Sequence, residues 1–176
     1  MLWNRSYINA MYSRESVIAL LDARHLWYEL TEHRAVNTME EARDLTLPYP
    51  EREAKNLFLH DDRRRSWHLV SIMGGRRLDL KAFRKEEGLR PLSFASPDEL
   101  MEHLGLTPGS VTPFGVLNDE ARSVVLHLDS SFWQGSGIIG LHPNDNRATV
   151  WMRTVDLADL LTGEGHEVVP FSVPEL

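Results

Sequence analysis

The sequence predicts one α+β domain, a curled, barrel-like mixed β-sheet surrounded by helices. Three observations predict it. Strand-type segments outnumber helical ones and interleave with them, without the regular alternation of a doubly wound sheet. The 176-residue chain is long enough to bury roughly two thirds of its unfolded surface in one core. No repeat, low-complexity tract or linker divides it. Residues 1–15 read as an N-terminal extension and residues 16–176 as the domain.

The elements follow in order. From Glu15 to Leu26, Val17, Leu20 and Leu21 recur at helical spacing and predict an amphipathic helix. Trp27–Leu30 reads as a short strand. Thr38 followed by Glu41 is a capping-box pattern opening a short helix, and Pro48 with Pro50 ends any helical run. Strands over Ala54–His60 and Trp67–Met73 flank the polar DDRRRS, which predicts a hairpin. Gly74 and Gly75 turn the chain into Arg77–Leu80, and a helix over Lys81–Glu87 stops at Gly88. Ser96-Pro97-Asp98-Glu99 is the clearest local signal: Ser as N-cap, Pro at the first helical position and Glu completing the capping box of a helix that ends at Gly105. After a loop over Gly109–Gly115 come strands at Ser123–Leu128, Ile138–Leu141 and Ala148–Met152, the last two around HPNDNR. Thr154 is expected to cap a helix over Val155–Leu161, and Val168–Val173 reads as a closing strand.

Composition removes several classes of function. With no cysteine, disulfides, thiolate zinc sites and cysteine nucleophiles are excluded. The opening MLWNRSYINAMYSRES has no apolar run of signal-peptide length, and nothing approaches the ~20 apolar residues of a membrane span. We expect a soluble, cytoplasmic protein with no membrane partner. The net charge of −7 hides an uneven distribution: residues 55–90 carry 10 basic and 5 acidic groups, whereas residues 91–176 carry 3 and 12. Arg63, Arg64, Arg65, Arg76, Arg77, Lys81, Arg84 and Lys85 could thus draw a polyanion to one region of an acidic protein. The same residues also fit a solvated hairpin tip and helix face.

Nucleophile and cofactor patterns are missing. There is no G-x-S-x-G elbow, no H-E-x-x-H, no P-loop and no dinucleotide fingerprint, so neither a metal nor an organic cofactor is expected. What stands out is AKNLFLHDD at 54–62, where Lys55 and Asn56 open an apolar strand. Charge at the edge of a core is costly without a partner. Successive strand residues face opposite ways. Lys55 and Asn56 therefore enter one pocket only if regular pairing starts at Leu57, which we expect, or if one acts through its backbone. The loops GSVTPFG at 109–115 and GLHPNDNRATV at 140–150 are the other polar candidates, each with an ordinary structural explanation when taken singly.

Taken together, KNLFLHD, RRLDLKAF, LSFASPDEL, GSVTPFGVLND and HPNDNRATV, in this order between about residues 16 and 172, resemble the YbaK/prolyl-tRNA-synthetase-associated editing superfamily, and within it the freestanding prolyl-tRNA editing branch. The resemblance implies hydrolysis of the ester joining a wrong amino acid to the terminal adenosine of a tRNA, in the nearest branch alanine on proline tRNA. It implies attack by water ordered with the help of a ribose hydroxyl, with no side-chain nucleophile. Such a second sieve answers a physical need, since a missing methylene yields only about 1–3 kcal/mol of discrimination.

The resemblance also assigns roles. Lys55 corresponds to the lysine that holds the terminal phosphate or the ester region, and Asn56 to the asparagine of the alanine-specific branch. Gly109 to Pro113 corresponds to a GxxxP loop whose backbone amides receive the carbonyl oxygen as charge develops on it. His142 corresponds to a histidine of the amino-acid pocket. Lys55, Asn56, Gly109 and His142 are thus the expected catalytic group, and Thr112, Pro113, Phe114, Gly115 and Asn146, with Arg63, Arg64 and Arg65, the expected substrate-binding group. The implied partners are the acceptor end of an aminoacylated tRNA and prolyl-tRNA synthetase. Relatives commonly carry threonine where Arg147 stands, on the rim of the implied pocket. Two rival readings remain, a deacylase for serine or cysteine on tRNA and a non-catalytic module that binds tRNA or a synthetase.

Overall fold

The computed structural model describes residues 11–176. Most of the expected N-terminal extension lies outside these residues. Helix α1 (Arg14–Ala23) starts where Ser13 accepts a hydrogen bond from the Ser16 N–H, and it buries Val17 and Leu21 completely. Strand β1 (Tyr28–Glu32) and the one-turn helix α2 (Met39–Ala42) follow. Thr38 caps α2 by accepting from the Glu41 N–H, but the Glu41 carboxylate reaches back to Asn37 rather than to Thr38, so the capping box is only half formed.

The hairpin of β2 (Ala54–Asp61) and β3 (Trp67–Met73) is antiparallel, with Ala54 opposite Met73 and His60 opposite Trp67. Regular pairing therefore begins at Ala54, correcting the expected start at Leu57; Ile72 and Ser71 stand opposite Lys55 and Asn56 and complete the ladder. Asp79 caps α3 (Leu80–Glu86), and β4 (Leu92–Phe94) adds a short edge strand that the sequence does not announce. Helix α4 (Pro97–Leu104) carries the anticipated box, Ser96 Oγ accepting from the Glu99 N–H at 3.1 Å and Glu99 Oε2 from the Ser96 N–H at 2.8 Å, and ends at Gly105 with φ +64°.

Strands β5 (Val124–Asp129), β6 (Ile138–Leu141) and β7 (Ala148–Arg153), helix α5 (Thr154–Gly163) and strand β8 (Glu167–Phe171) complete the chain. Thr154 is the first residue of α5 rather than its cap, because its hydroxyl is turned inward to the Phe132 and Gly137 carbonyls.

The strands form two sheets, one of three strands in the order β1-β7-β6 and one of five in the order β4-β2-β3-β5-β8. Neither closes on itself, so the barrel-like expectation is corrected; the α+β class stands. The five-stranded sheet is mixed, antiparallel from β4 to β3 and parallel from β3 through β5 to β8. The two sheets touch at an isolated bridge between Glu53 and Gly140.

Both faces of the larger sheet are covered, which is why WHLVSIM reads as a nearly unbroken apolar run. Phe58, Leu69, Leu126 and Leu128 belong to the main core with Phe132, Ile139 and Leu157, while Leu59, Val70 and Ile72 meet Phe83 and Phe171 on the opposite face. Truncating a fully buried phenylalanine such as Phe83 would cost about 3–5 kcal/mol. Strand parity then fixes the polar pair: Asn56 shares the face of Phe58, and Lys55 that of Leu57 and Leu59.

Candidate active site

A cavity of about 270 Å³ lies across the opening of β2, lined on that side by Glu53, Ala54, Lys55 and Asn56. Gly109 and Val111 of the GSVTP loop and His142 close it from another, and Val36–Met39 supply the remaining wall. Four expected catalytic residues, Lys55, Asn56, Gly109 and His142, thus share one small cavity although their sequence positions span nearly ninety residues. Its volume lies just below the range of about 300–1,000 Å³ typical of drug-sized ligand sites, which suits a short acyl group.

Asn56 is held rigidly. Its amide N–H donates to the Val111 carbonyl at 2.9 Å, and its oxygen accepts the Ser71 hydroxyl. A second tie fixes the same loop, the buried Thr112 hydroxyl donating to the His142 carbonyl at 2.7 Å. The Ser110 N–H is taken by Thr107, whereas among the described residues neither the Gly109 nor the Val111 N–H has an acceptor within the chain. The clamped loop thus offers two unsatisfied backbone donors at the cavity, the kind of group that stabilises a developing oxyanion.

Gly109 has φ +86°, and a Cβ there would lie 2.5 Å from Asn37 Oδ1. Only glycine combines that backbone with that close approach. His142 donates from Nδ1 to the Ala148 carbonyl at 2.9 Å, which leaves Nε2 as the unprotonated nitrogen. Burial lowers its pKa below the ordinary histidine value, with the His33 ring adding to the effect and the Ala148 carbonyl and Asp145 opposing it, so the ring is neutral near pH 7. Glu53 is only 6% exposed, and burial raises its carboxyl above the usual carboxylate range. Lys55 is half-buried and forms no ion pair among the described residues. Among those residues, no three His, Asp or Glu side chains converge to hold a metal ion.

The other expected residues are placed differently. Pro113, Phe114 and Gly115 are buried in a 3-10 turn behind the cavity wall and do not line it. Asn146 also stands behind the wall, donating to the Val36 carbonyl at 3.0 Å and to Asn37 Oδ1 at 3.2 Å. Arg147 is turned outward onto Asp145, whose carboxyl the guanidinium holds down to about 2, and it leaves the cavity open. Arg63, Arg64 and Arg65 are exposed in the turn at the far tip of the hairpin, beyond the end of β2 at Asp61, which is about 20 Å from Lys55 along the strand at ~3.3 Å per residue. Of the clustered cations, Arg64 pairs with Glu99, and Arg76 with Asp129 and Glu175; Arg63, Arg65, Arg77, Lys81, Arg84 and Lys85 have no ion pair among the described residues.

Glu53 and the Val36–Met39 wall are lining positions that sequence reasoning misses, whereas Val111 falls within the expected Gly109 to Pro113 loop. The only signal in the wall is the Thr38 cap, which predicts a helix start but not what packs against it.

Comparison with known sequences identifies the architecture. The sequence model of the aminoacyl-tRNA editing domain matches residues 33–160. The chain belongs to this family. As an aminoacyl-tRNA editing domain it is a carboxylic-ester hydrolase, an aminoacyl-tRNA deacylase. The prolyl-tRNA editing protein ProX of Acetoanaerobium sticklandii is 39% identical over 156 residues, covering 89% of this chain and 94% of that protein. The prolyl-tRNA synthetase associated domain-containing protein 1 of Danio rerio is 34% identical over 142 residues, covering 80% and 77%. Among solved structures, a candidate trans-editing enzyme for prolyl-tRNA synthetase superposes with a TM-score of 0.67 at 22% identity, over 93% of this chain and 97% of the other, which extends the likeness to the fold. No helix of this editing domain is long and apolar enough to cross a membrane among the described residues.

Proposed function

We propose that this editing domain acts in trans on mischarged proline tRNA, hydrolysing the ester of alanine. The observation that carries the reading is the convergence of Lys55, Asn56, Gly109, Val111 and His142 on one cavity of about 270 Å³. The acyl group enters the cavity, and proline is kept out by its ring. The Gly109 and Val111 N–H groups receive the carbonyl oxygen as the tetrahedral intermediate forms, and the ties from Asn56 and Thr112 keep those donors in place. Lys55 neutralises the phosphate or the ester region of the terminal adenosine. Water, positioned by the substrate's own ribose hydroxyl, attacks the carbonyl carbon; the ester C–O bond breaks, and free alanine and uncharged tRNA leave. The neutral His142 lines the amino-acid end of the cavity and restricts its size.

The acceptor end of the tRNA enters at the cavity end of the β2–β3 hairpin, and the stem passes over the surface toward the cations at the hairpin tip, since the strands between are covered on both faces. Arg77, at the cavity end of the hairpin, and Lys81 stand nearer the reacting ester, while Arg63 and Arg65 at the far tip contact phosphates further down the stem. The outward Arg147 and the open cavity favour turnover over the non-catalytic alternative.

The test is single-turnover hydrolysis of alanyl- and prolyl-tRNA for proline by the wild type and Lys55→Ala, beside seryl and cysteinyl esters of the same tRNA. Rapid loss of alanine alone, slowed at least about 100-fold by the substitution, supports the assignment. Faster loss of serine or cysteine would move the specificity to those esters, and tRNA binding without turnover of any ester would move the protein to a binding role.

A further inference from the structure

Glu53 takes no part in the water attack or in oxyanion binding, yet among the described residues it is the one carboxylate on the cavity lining. It sits immediately before β2, its backbone carbonyl accepting the Gly74 N–H at 2.9 Å and its backbone bridging to Gly140. Although the residue is only 6% exposed, its carboxylate takes part in no hydrogen bond or ion pair among the described residues. Its neighbour Arg52 does not serve it, being committed to the Ile138 and Phe132 carbonyls at 2.7 Å each. Lys55, two residues on, is not within ion-pair distance. Its oxygens are not among the fully enclosed unpartnered atoms, so they stay open to the cavity, and a carboxylate with so little solvent and no protein partner is one that a ligand cation can complete.

The polar groups around it narrow what that ligand is. Asn56 has spent its amide on Val111 and Ser71, and His142 has spent Nδ1 on Ala148. The Gly109 and Val111 amides and Lys55 are donors and suit the ester oxygens or a phosphate. The aminoacyl group carries one feature that calls for a carboxylate, the α-ammonium, and Glu53 is the one carboxyl on this lining, its charged form favoured as the cation enters.

We propose that Glu53 is the specificity-determining residue for the α-amino group, binding the ammonium of the esterified amino acid as the acyl group enters the cavity. The assignment rests on the reading of this site as a deacylase pocket, and it deepens that reading. It means that the site selects free aminoacyl esters over N-acylated ones, so that peptidyl- and formyl-aminoacyl-tRNA are rejected for lack of a cation as well as for bulk. The ion pair also fixes the acyl group by a second point beside the carbonyl oxygen, which orients the reacting carbon toward the water.

The test compares two acyl groups that differ only at the α-substituent: alanyl-tRNA and lactyl-tRNA, in which a hydroxyl replaces the amine. Each is hydrolysed under single-turnover conditions by the wild type, Glu53→Gln and Glu53→Asp, after subtraction of the uncatalysed rate. Glu53→Gln is expected to slow alanyl-tRNA by about 30-fold or more and to leave lactyl-tRNA within about threefold, with Glu53→Asp recovering part of the loss on alanyl-tRNA alone. An equal loss on both substrates would overturn the assignment and leave Glu53 as a support for Lys55 or for the strand. No loss on either would overturn it as well. If the wild type hydrolyses neither ester, the deacylase reading itself fails, a result separate from any effect of Glu53. A thermal melt of Glu53→Gln at or above the wild-type midpoint at pH 8 shows that the fold is intact; should it melt lower, Glu53→Asp carries the comparison.

Discussion

The Asn56 side-chain amide donates to the Val111 carbonyl at 2.9 Å across 55 residues of sequence, and this one bond ties the opening of β2 to the loop that offers the free backbone donors. Replacing Asn56 by Ala leaves the Val111 carbonyl and the Ser71 hydroxyl short of a partner. We expect a stability loss of about 1–3 kcal/mol. The larger effect should be catalytic, a fall in kcat of about tenfold or more with little change in KM, because the oxyanion donors lose their position while the tRNA contacts remain. Asn56→Asp should be worse, since it sets a carboxylate against the Val111 carbonyl. Urea denaturation beside steady-state deacylation checks both; a raised KM with unchanged kcat would place Asn56 in binding instead.

Gly109 reaches the cavity on a backbone at φ +86° with Asn37 Oδ1 against it. Gly109→Ala is expected to cost about 1–2 kcal/mol in backbone strain and to push Asn37 out of the wall. Pairing it with Asn37→Ala removes the oxygen it would strike. Activity should recover in part in the double variant while the strain in stability persists. If the double variant is as inactive as Gly109→Ala alone, the loss comes from the loop's own conformation and not from the wall.

The two groups of cations sit at opposite ends of the hairpin, so their effects should separate. Substituting Arg63, Arg64 and Arg65 by Ala should raise apparent KM more than it lowers kcat. It should also flatten the salt dependence of tRNA affinity, by roughly one unit of log–log slope for each phosphate no longer neutralised. Arg77→Ala with Lys81→Ala, nearer the cavity, should raise KM further and lower kcat too. An affinity for tRNA that does not change between low and moderate salt would sink both assignments.

Much of this arrangement is legible in the sequence where the signals are local. The Ser96–Glu99 box, the Trp67–Met73 strand and the Ile138–Leu141 strand follow from caps and apolar runs that a few residues decide. The sheet's failure to close is not legible, because which strands become edges depends on pairings between distant segments. From the sequence, Lys55 and Asn56 need an irregular strand to share a pocket. The strand is regular, and the cavity lies across its opening so that both residues border it from opposite faces. Glu53 gives no sign at all: a glutamate after PER reads as surface, and its place beside the Gly140 bridge and on a cavity shared with Val36–Met39 follows from distant segments. Arg63–Arg65 are legible as a charge run but not as a remote one.

Acid stability should depend on a histidine on the other face of the sheet. His127 is buried beside Phe83 and Phe171 with its Nε2 against His68 Nδ1 at 2.9 Å, and its own Nδ1 has no hydrogen-bond partner. Burial, with His68 adding to it, lowers its pKa from the ordinary 6.5 to about 4. Between those values the unfolded chain binds the proton and the folded one does not, so stability rises with pH across the window and is lost as the solution is acidified from pH 7 toward pH 4. For His127 alone the loss amounts to about 3 kcal/mol. His68, His142 and His166 are lowered by burial too and act in the same direction. Glu53 acts in the opposite sense, because its raised pKa makes the folded state hold a proton that the unfolded chain has released. His127→Gln should therefore flatten the stability profile between pH 4 and 6.5, and Glu53→Gln should steepen its rise. Urea midpoints measured at half-unit pH intervals would read both slopes, and a His127→Gln profile parallel to the wild type would show that the imidazole titrates alike in the folded and unfolded chain, overturning the assignment.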